Sequence, residues 1–157
     1  MHDYVILDKN WYKGYLKYGN NFDIIINKIK NTDNTRFRDW TINLKLLEKV
    51  IKPKLLNKLK KKRVFLLDYD NNNKILQKYI YYSGTYWIAK KHVMEKFPLN
   101  EKKLHRQGED CEWSDRVRNK YEFKFNKHSI CRLIKYKEEA KNNKIFTYNI
   151  YDENINK

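Results

Sequence analysis

The sequence predicts one α/β or α+β domain, in which a mixed β-sheet is flanked by helices. Short runs of β-branched residues alternate along the chain with segments whose leucines and valines have helical spacing. Only four glycines and two prolines interrupt the 157 residues, so linkers are scarce. Apolar residues make up 41% of the chain, which is enough for one core and too much for a disordered chain.

Periodicity and turn residues predict five elements in the first part of the chain. They are a short strand (residues 4–8), a short helix (11–19), a strand (22–31), a turn (31–35) and a helix (43–62). Gly19 is expected to end the short helix. Ile24, Ile25 and Ile26 favour the second strand because β-branched side chains suit an extended backbone. Pro53 should kink the long helix or split it in two, because proline lacks the amide hydrogen.

The second part of the chain is expected to contain more strands than helices. The predicted elements are a strand (63–69), a loop (70–74), two strands around a turn (78–91), a short helix (92–97), a helix (109–120) and two further strands (121–125 and 128–137). Ser83 and Gly84 form the expected turn, and Pro98 should stop the short helix. From residue 138 the chain is polar and weakly patterned. This predicts a domain over residues 1–137 and a partly ordered tail over residues 138–157.

The net charge and the cysteines limit which partners and which cellular compartment the sequence favours. Thirty-five Lys and Arg residues against nineteen Asp and Glu residues give a formal net charge of +16, which would attract nucleic acid or other polyanions. The excess is mostly lysine, and A/T-rich codons would produce lysine-rich composition without such a partner. No apolar run reaches the roughly 18 residues of a membrane span, and Cys111 and Cys131 are isolated. A cytoplasmic, reducing location is therefore expected.

The stretch GEDCEWSDR (residues 108–116) concentrates acidic residues in a basic chain. In one interpretation they are helix-start carboxylates, which the helix dipole and free amide groups favour. In the other, Asp110 or Glu109 is a general base that the helix start holds ionised and oriented. Helical spacing puts Asp110 and Trp113 on one stripe, so Trp113 could wall the pocket.

Two other segments carry residue types that suit ligand binding. RFRDW (residues 36–40) is either an internal Arg–Asp pair beside a core tryptophan or a phosphate site at Arg36 or Arg38, with Asp39 alongside. YYSGTYW (residues 81–87) is either a hairpin turn among core aromatics or a place where backbone and Trp87 approach a sugar.

Candidate metal ligands lie near the start of the sequence and late in it. Asp3 of the terminal HDY could bind a divalent cation, with His2 as helper, and His128 is a further candidate late in the chain.

The order of these motifs resembles that of GT-A-type glycosyltransferases, specifically the family 2-like enzymes of bacteria and large DNA viruses. The resemblance spans residues 1–137. Its segments are MHDY, RFRDW, YYSGTYWIAKKHVMEKFPLNE, QGEDCEWSDRVR and the Asn-x-x-Ser of FNKHS. It implies a partial GT-A-like (nucleotide-diphospho-sugar transferase) fold and transfer of a sugar from a nucleotide-sugar donor to a hydroxyl of a glycan or protein acceptor.

The resemblance also implies roles for particular residues. Asp3 would hold Mn²⁺ or Mg²⁺ at the donor diphosphate, Asp110 would be the base, and Glu109 would support it or contact the acceptor. In the family a βαβ nucleotide-binding half precedes the metal motif. The chain is therefore expected to be the acceptor-side half, which works with a donor-half partner chain or as a homo-oligomer. The likeness to enzymes of large DNA viruses also allows a viral protein in the host cytoplasm. The alternatives are a basic nucleic-acid-binding protein and a non-catalytic remnant or assembly subunit.

Overall fold

The computed structural model describes residues 4–18, 20–43, 64–72, 74–103 and 108–146. The strands in these ranges are β1 (Val5–Leu7), β2 (Ile24–Lys30), β3 (Thr41–Ile42), β4 (Val64–Leu67), β5 (Ile80–Tyr81), β6 (Ile88–Ala89), β7 (Phe123–Leu133) and β8 (Asn143–Phe146). The helices are α1 (Trp11–Leu16), α2 (Lys74–Lys78), α3 (Lys91–Lys96), α4 (Glu109–Val117) and the 3₁₀ helix η1 (Glu138–Asn142). The predicted helix over residues 43–62 and the candidate ligand Asp3 lie outside the described residues.

The strands form two mixed sheets, which confirms the mixed α/β class. Sheet A has the order β1-β7-β2-β6, with β2 and β7 parallel and the outer pairs antiparallel. Sheet B has the order β5-β3-β4-β8, with β4 and β8 parallel and the other pairs antiparallel. The expected single sheet is therefore wrong, because periodicity does not reveal which strands pair.

Strand β2 is the interior strand around which sheet A is built. Ile24, Ile25 and Ile26 are at most 1% exposed, and so is Ile29. A strand buried on both faces is expected to be a continuous apolar run, and this one has the β-branched residues that fit an extended backbone. The predicted strand over residues 22–31 is therefore confirmed.

The two strands predicted over residues 121–125 and 128–137 are one strand, β7, interrupted by a bulge. Its register against β2 passes from Asn126 directly to Ile130, so three residues bulge out of the ladder. The Asn126 side chain satisfies the freed groups: its Oδ1 accepts the N–H groups of His128 and Ser129 at 3.0 and 3.2 Å. A bulge of this kind bends a strand without ending it.

The strands on either side of the Ser83–Gly84 turn do not form the hairpin considered from the sequence. Strand β5 pairs with β3 in sheet B, whereas β6 pairs with β2 in sheet A. The chain therefore crosses from one sheet to the other between residues 82 and 87. This crossing places the turn at the junction of the sheets.

Two regular elements occur where the sequence pattern is weak. Helix α2 begins at the end of the predicted 70–74 loop, and its Leu76 is fully buried in the core. Strand β8 lies in the segment whose composition predicts a partly ordered tail, and it pairs with β4 in parallel. In both cases a nonlocal contact supplies the stabilisation that local pattern does not reveal.

The buried carboxylate of Asp39 joins the two sheets. Its Oδ2 accepts the N–H of Ile29 in β2 at 3.1 Å and also the hydroxyl of Tyr69, which follows β4. Its Oδ1 accepts Arg36 Nη2 at 2.6 Å and the N–H of Trp40 at 2.8 Å. Arg36 Nη2 also donates to the carbonyl of Leu67 in β4. A buried charge is tolerated only when it is paired and hydrogen-bonded in this way.

We expect Asp39→Ala to lower the free energy of unfolding by about 3–5 kcal/mol, because it leaves a largely buried guanidinium without its partner. Asp70 offers a matched control, since its side chain is 87% exposed in a single ion pair with Lys127. Asp70→Ala should change stability by less than about 0.5 kcal/mol. Urea unfolding of both variants measures the difference, and equal losses would contradict a special role for Asp39.

Helix α1 packs tightly on the β7 bulge. Ser129 Oγ donates to the carbonyl of Trp11, and a Cβ on Gly14 would lie 2.1 Å from that same Oγ and 2.9 Å from the Ser129 nitrogen. Only a residue without a side chain allows this approach.

Gly14→Ala should therefore destabilise the protein by about 1–3 kcal/mol through overpacking, although alanine normally favours a helix by about 1 kcal/mol. Gly84→Ala is the control, because its added Cβ would meet its nearest neighbour, Asp110 Oδ2, at 3.6 Å. Thermal unfolding followed by circular dichroism compares the two. A gain in stability for Gly14→Ala would show that the helix and bulge are not in close contact.

Candidate functional site

The acidic stretch forms the first turn of α4. Gly108 precedes the helix with φ 67°, a left-handed conformation that glycine adopts without strain. Glu109, Asp110 and Glu112 lie in the first turn, where the helix dipole favours negative charge. Glu112 is committed to an ion pair with Arg116 at 2.6 Å. Glu109 and Asp110 are half-buried and have no ion-pair partner in the described part of the chain.

Two backbone amides fix the carboxylate of Asp110. The N–H of Gly84 donates to its Oδ2 at 3.2 Å, and the N–H of Cys111 donates to its Oδ1 at 2.8 Å. The crossing between the sheets and the start of α4 thus meet at this side chain, although 26 positions separate them in sequence. The structure therefore brings together Gly84 and Asp110, two of the site residues predicted from different motifs.

The aromatic residues beside this carboxylate are mainly core residues. Trp113 is fully buried and donates from Nε1 to the carbonyl of Phe97 at 2.6 Å. Its ring packs against Tyr82 and Trp87. The expectation that Trp113 walls an open pocket is therefore corrected, because helical spacing gives its direction and not its depth. Trp87 is half-buried and is the more accessible ring.

Ser83 has a structural role in the turn. It is 7% exposed, and its Oγ accepts the N–H of Thr85 at 3.3 Å. Gly84, by contrast, is exposed, so the backbone of the turn is what a ligand could approach.

Burial makes the thiol and phenol near Asp110 hard to ionise. Burial, reinforced by the charge of Asp110, raises the pKa of the Cys111 thiol to about 12. The pKa of Tyr81 is also raised, first by burial and then by the charges of Cys111 and Asp110, while Arg38 counteracts the rise. Cys111 is therefore a thiol at neutral pH and not a nucleophile.

The two arginines of RFRDW have different surroundings. Arg36 and Asp39 are used by the buried network described above, and Arg36 also stacks over Tyr69 at 3.8 Å. Asp39 is 1% exposed, so the expectation that it contacts substrate is corrected. Arg38 has φ 43°, and its buried Nε has no hydrogen-bond partner among the described residues.

The surroundings of His128 do not fit a metal ligand. It lies on the β7 bulge with its Nδ1 3.4 Å from Lys17 Nζ. Desolvation first, and then the charges of Lys17, Lys127 and Lys28, lower the pKa of His128. The same lysines would repel a cation. Within the described ranges, no group of three His, Cys, Asp or Glu side chains could hold a metal ion.

The Asn-x-x-Ser of FNKHS serves the bulge. Asn126 and Ser129 are fully buried, and Asn126 Nδ2 donates to Ser129 Oγ at 2.8 Å. Their polar groups are thus used inside the fold, and they do not form an open contact for a metal or phosphate.

The structure also contains cavities away from the Asp110 carboxylate. One, of about 560 Å³, lies between α2, the end of α4 and the start of β7. Another, of about 380 Å³, lies beside His128 and Asp8. Asp110 lines neither. The larger cavity is not predictable from local pattern, whose signals are limited to lysines at positions 74 and 78 and tyrosines at positions 79 and 121.

No protein-family model, curated protein or solved structure matches this chain. None of the described helices is long and apolar enough to cross a membrane.

The strained backbone at Arg38 predicts an unusual mutational response. Left-handed conformations cost a non-glycine residue about 1–2 kcal/mol, so Arg38→Gly should leave the free energy of unfolding unchanged or raise it by up to about 1 kcal/mol. Arg36→Gly should lower it by more than about 2 kcal/mol, because it breaks the Asp39 network. Urea unfolding compares the two. A large loss for Arg38→Gly would show that its side chain stabilises the fold.

Proposed function

We propose that this chain is the acceptor-side part of a GT-A-like glycosyltransferase, and that Asp110 is the base that activates the acceptor hydroxyl. The observation that carries the proposal is the fixed position of the Asp110 carboxylate, which two backbone amides hold at a half-exposed helix start. A general base needs this combination of accessibility and orientation. The contact also joins Gly84 of the small-residue turn to the acidic box, the two motifs on which the family resemblance chiefly depends.

The chemistry follows from the position of the carboxylate. Asp110 takes the proton of the acceptor O–H as that oxygen bonds to the anomeric carbon of the donor sugar. The bond from that carbon to the diphosphate breaks, and the nucleoside diphosphate leaves with the electron pair. Glu109 has no ion-pair partner in the described segments and is free to accept a hydrogen bond from another acceptor hydroxyl. Trp87 offers a partly exposed ring against which a sugar could pack.

Arg38 is the side chain of RFRDW that is best suited to the leaving diphosphate. Its neighbour Arg36 is occupied by Asp39, whereas the Nε of Arg38 has no partner among the described residues. A left-handed backbone at an arginine whose Nε has no hydrogen-bond partner in the described part of the chain supports a binding role.

The proposal includes a donor-binding half that lies outside the resembling segments, because the resembling motifs are those of the acceptor side. A divalent cation would be held outside the described residues, where Asp3 lies. No step is assigned to a metal at His128, since lysines surround it.

We expect the Asp110→Asn variant to lose glycosyl transfer by about 10²–10⁴-fold, because the amide cannot accept the acceptor proton. Release of nucleoside diphosphate from a panel of nucleotide sugars, with Mn²⁺ and a set of glycan and peptide acceptors, measures the reaction. Asparagine has one oxygen for the two backbone amides of Gly84 and Cys111, so one of these hydrogen bonds is lost. The free energy of unfolding should therefore fall by about 1–3 kcal/mol, which thermal unfolding of the variant measures.

Glu112→Gln is the matched control, because Glu112 is on the same helix turn but is paired with Arg116. It should retain transfer. Equal activity of Asp110→Asn and the unsubstituted chain would refute the base assignment. Absence of any nucleoside diphosphate release by the unsubstituted chain would refute catalysis by this chain alone.

A further inference from the structure

The larger cavity combines cationic and aromatic side chains. Lys74 and Lys78 project from α2, and Lys120 follows the end of α4. Tyr79, Tyr121 and Phe123 supply ring surfaces between them. Its volume of about 560 Å³ falls in the range typical of small-molecule sites.

The three lysines are exposed and have no ion-pair partner in the part of the chain that the structure describes. The other cation of the lining, Arg118, is neutralised by Asp115 at 2.9 Å and donates to the carbonyls of Lys78 and Ile80. It therefore fixes the end of α2 against α4 as a structural wall. The lining acid Glu122 is paired with Lys124 at 2.7 Å. The net charge facing the cavity is therefore positive.

The aromatic wall is held in place by packing within the fold. Phe123 is 7% exposed and lies in the main core, and Tyr121 packs edge-on against Phe97. Tyr79 is partly buried and packs against the same core. Rings fixed in this way present a flat surface at little entropic cost, which suits stacking with a planar base.

We propose that this cavity binds a nucleotide, with the base against the aromatic wall and the phosphates at Lys74, Lys78 and Lys120. A ligand with only an apolar ring would make no interaction with the lysines, and a ligand with only phosphate would not contact the aromatic surface. Neither Asp110 nor Glu109 lines the cavity. The inference therefore does not depend on the proposed sugar transfer.

Isothermal titration of the full chain with UTP, inorganic triphosphate and uridine, at one fixed ionic strength, tests the proposal. UTP should bind at least about tenfold more tightly than either of the others, since it alone uses both the rings and the lysines. Lys78→Glu should weaken UTP binding about tenfold or more, and Tyr121→Leu should weaken UTP binding while leaving triphosphate binding unchanged.

Lys91→Glu is the charge-matched control, because Lys91 is also near a helix end and its side chain is 89% exposed, away from the cavity. It should bind UTP nearly as well as the unsubstituted chain. Equal losses for Lys78→Glu and Lys91→Glu would reduce the effect to general attraction by a basic protein and overturn the site. Equal affinity for UTP and triphosphate would also overturn it, as would binding of a short single-stranded RNA without binding of UTP.

Discussion

The arrangement of the two sheets depends on one buried carboxylate. Asp39 accepts hydrogen bonds from β2 in sheet A and from Tyr69 at the end of β4 in sheet B, while its partner Arg36 reaches the carbonyl of Leu67. A pair with fewer hydrogen bonds would cost several kcal/mol to bury, so these contacts are mutually required. Since sheet edges alone impose no angle between two sheets, the network provides a directional constraint that apolar packing does not. The hydrogen bonds of Asp39 and Arg36 therefore fix how the two sheets meet.

The candidate site is a consequence of that junction. The chain must cross from β5 in sheet B to β6 in sheet A, and a hairpin at Ser83 and Gly84 would have kept both strands in one sheet. The crossing leaves the Gly84 amide without a strand partner, and the first turn of α4 supplies the Asp110 carboxylate as its acceptor. The carboxylate is thus oriented by the tertiary structure as well as by its own helix. Spacing within residues 108–116 could not reveal this contact.

The residue pattern of the sequence predicted the elements that are specified by residues within them or directly beside them, or that are apolar throughout. The isoleucines of β2, the proline after α3 and the glycine before α4 each specify a conformation by their own chemistry. The rest required nonlocal information. β7 continues through residues 127–129 because the Asn126 side chain replaces ladder hydrogen bonds, and β8 exists because β4 is beside it. Likewise, RFRDW reads as two equivalent arginines, and only the Asp39 contacts distinguish Arg36 from Arg38.

The charges along α4 show how structural and functional side chains can be separated. Acids at its start and bases at its end are what the helix dipole favours, so their positions alone carry no functional information. Their partners do. Two ion pairs lie within the helix or at its end: Glu112 with Arg116, and Asp115 with Arg118. The stabilisation from these pairs is enough to explain why the four charged residues are there. Asp110 at the start and Lys120 just beyond the end lack such pairs among the described residues. Neither charge has an ion-pair partner within these ranges, so a ligand at either end would supply that interaction. The two ends would then bind groups of different chemistry. The carboxylate would accept a hydrogen bond from a hydroxyl, and the lysines would bind phosphate.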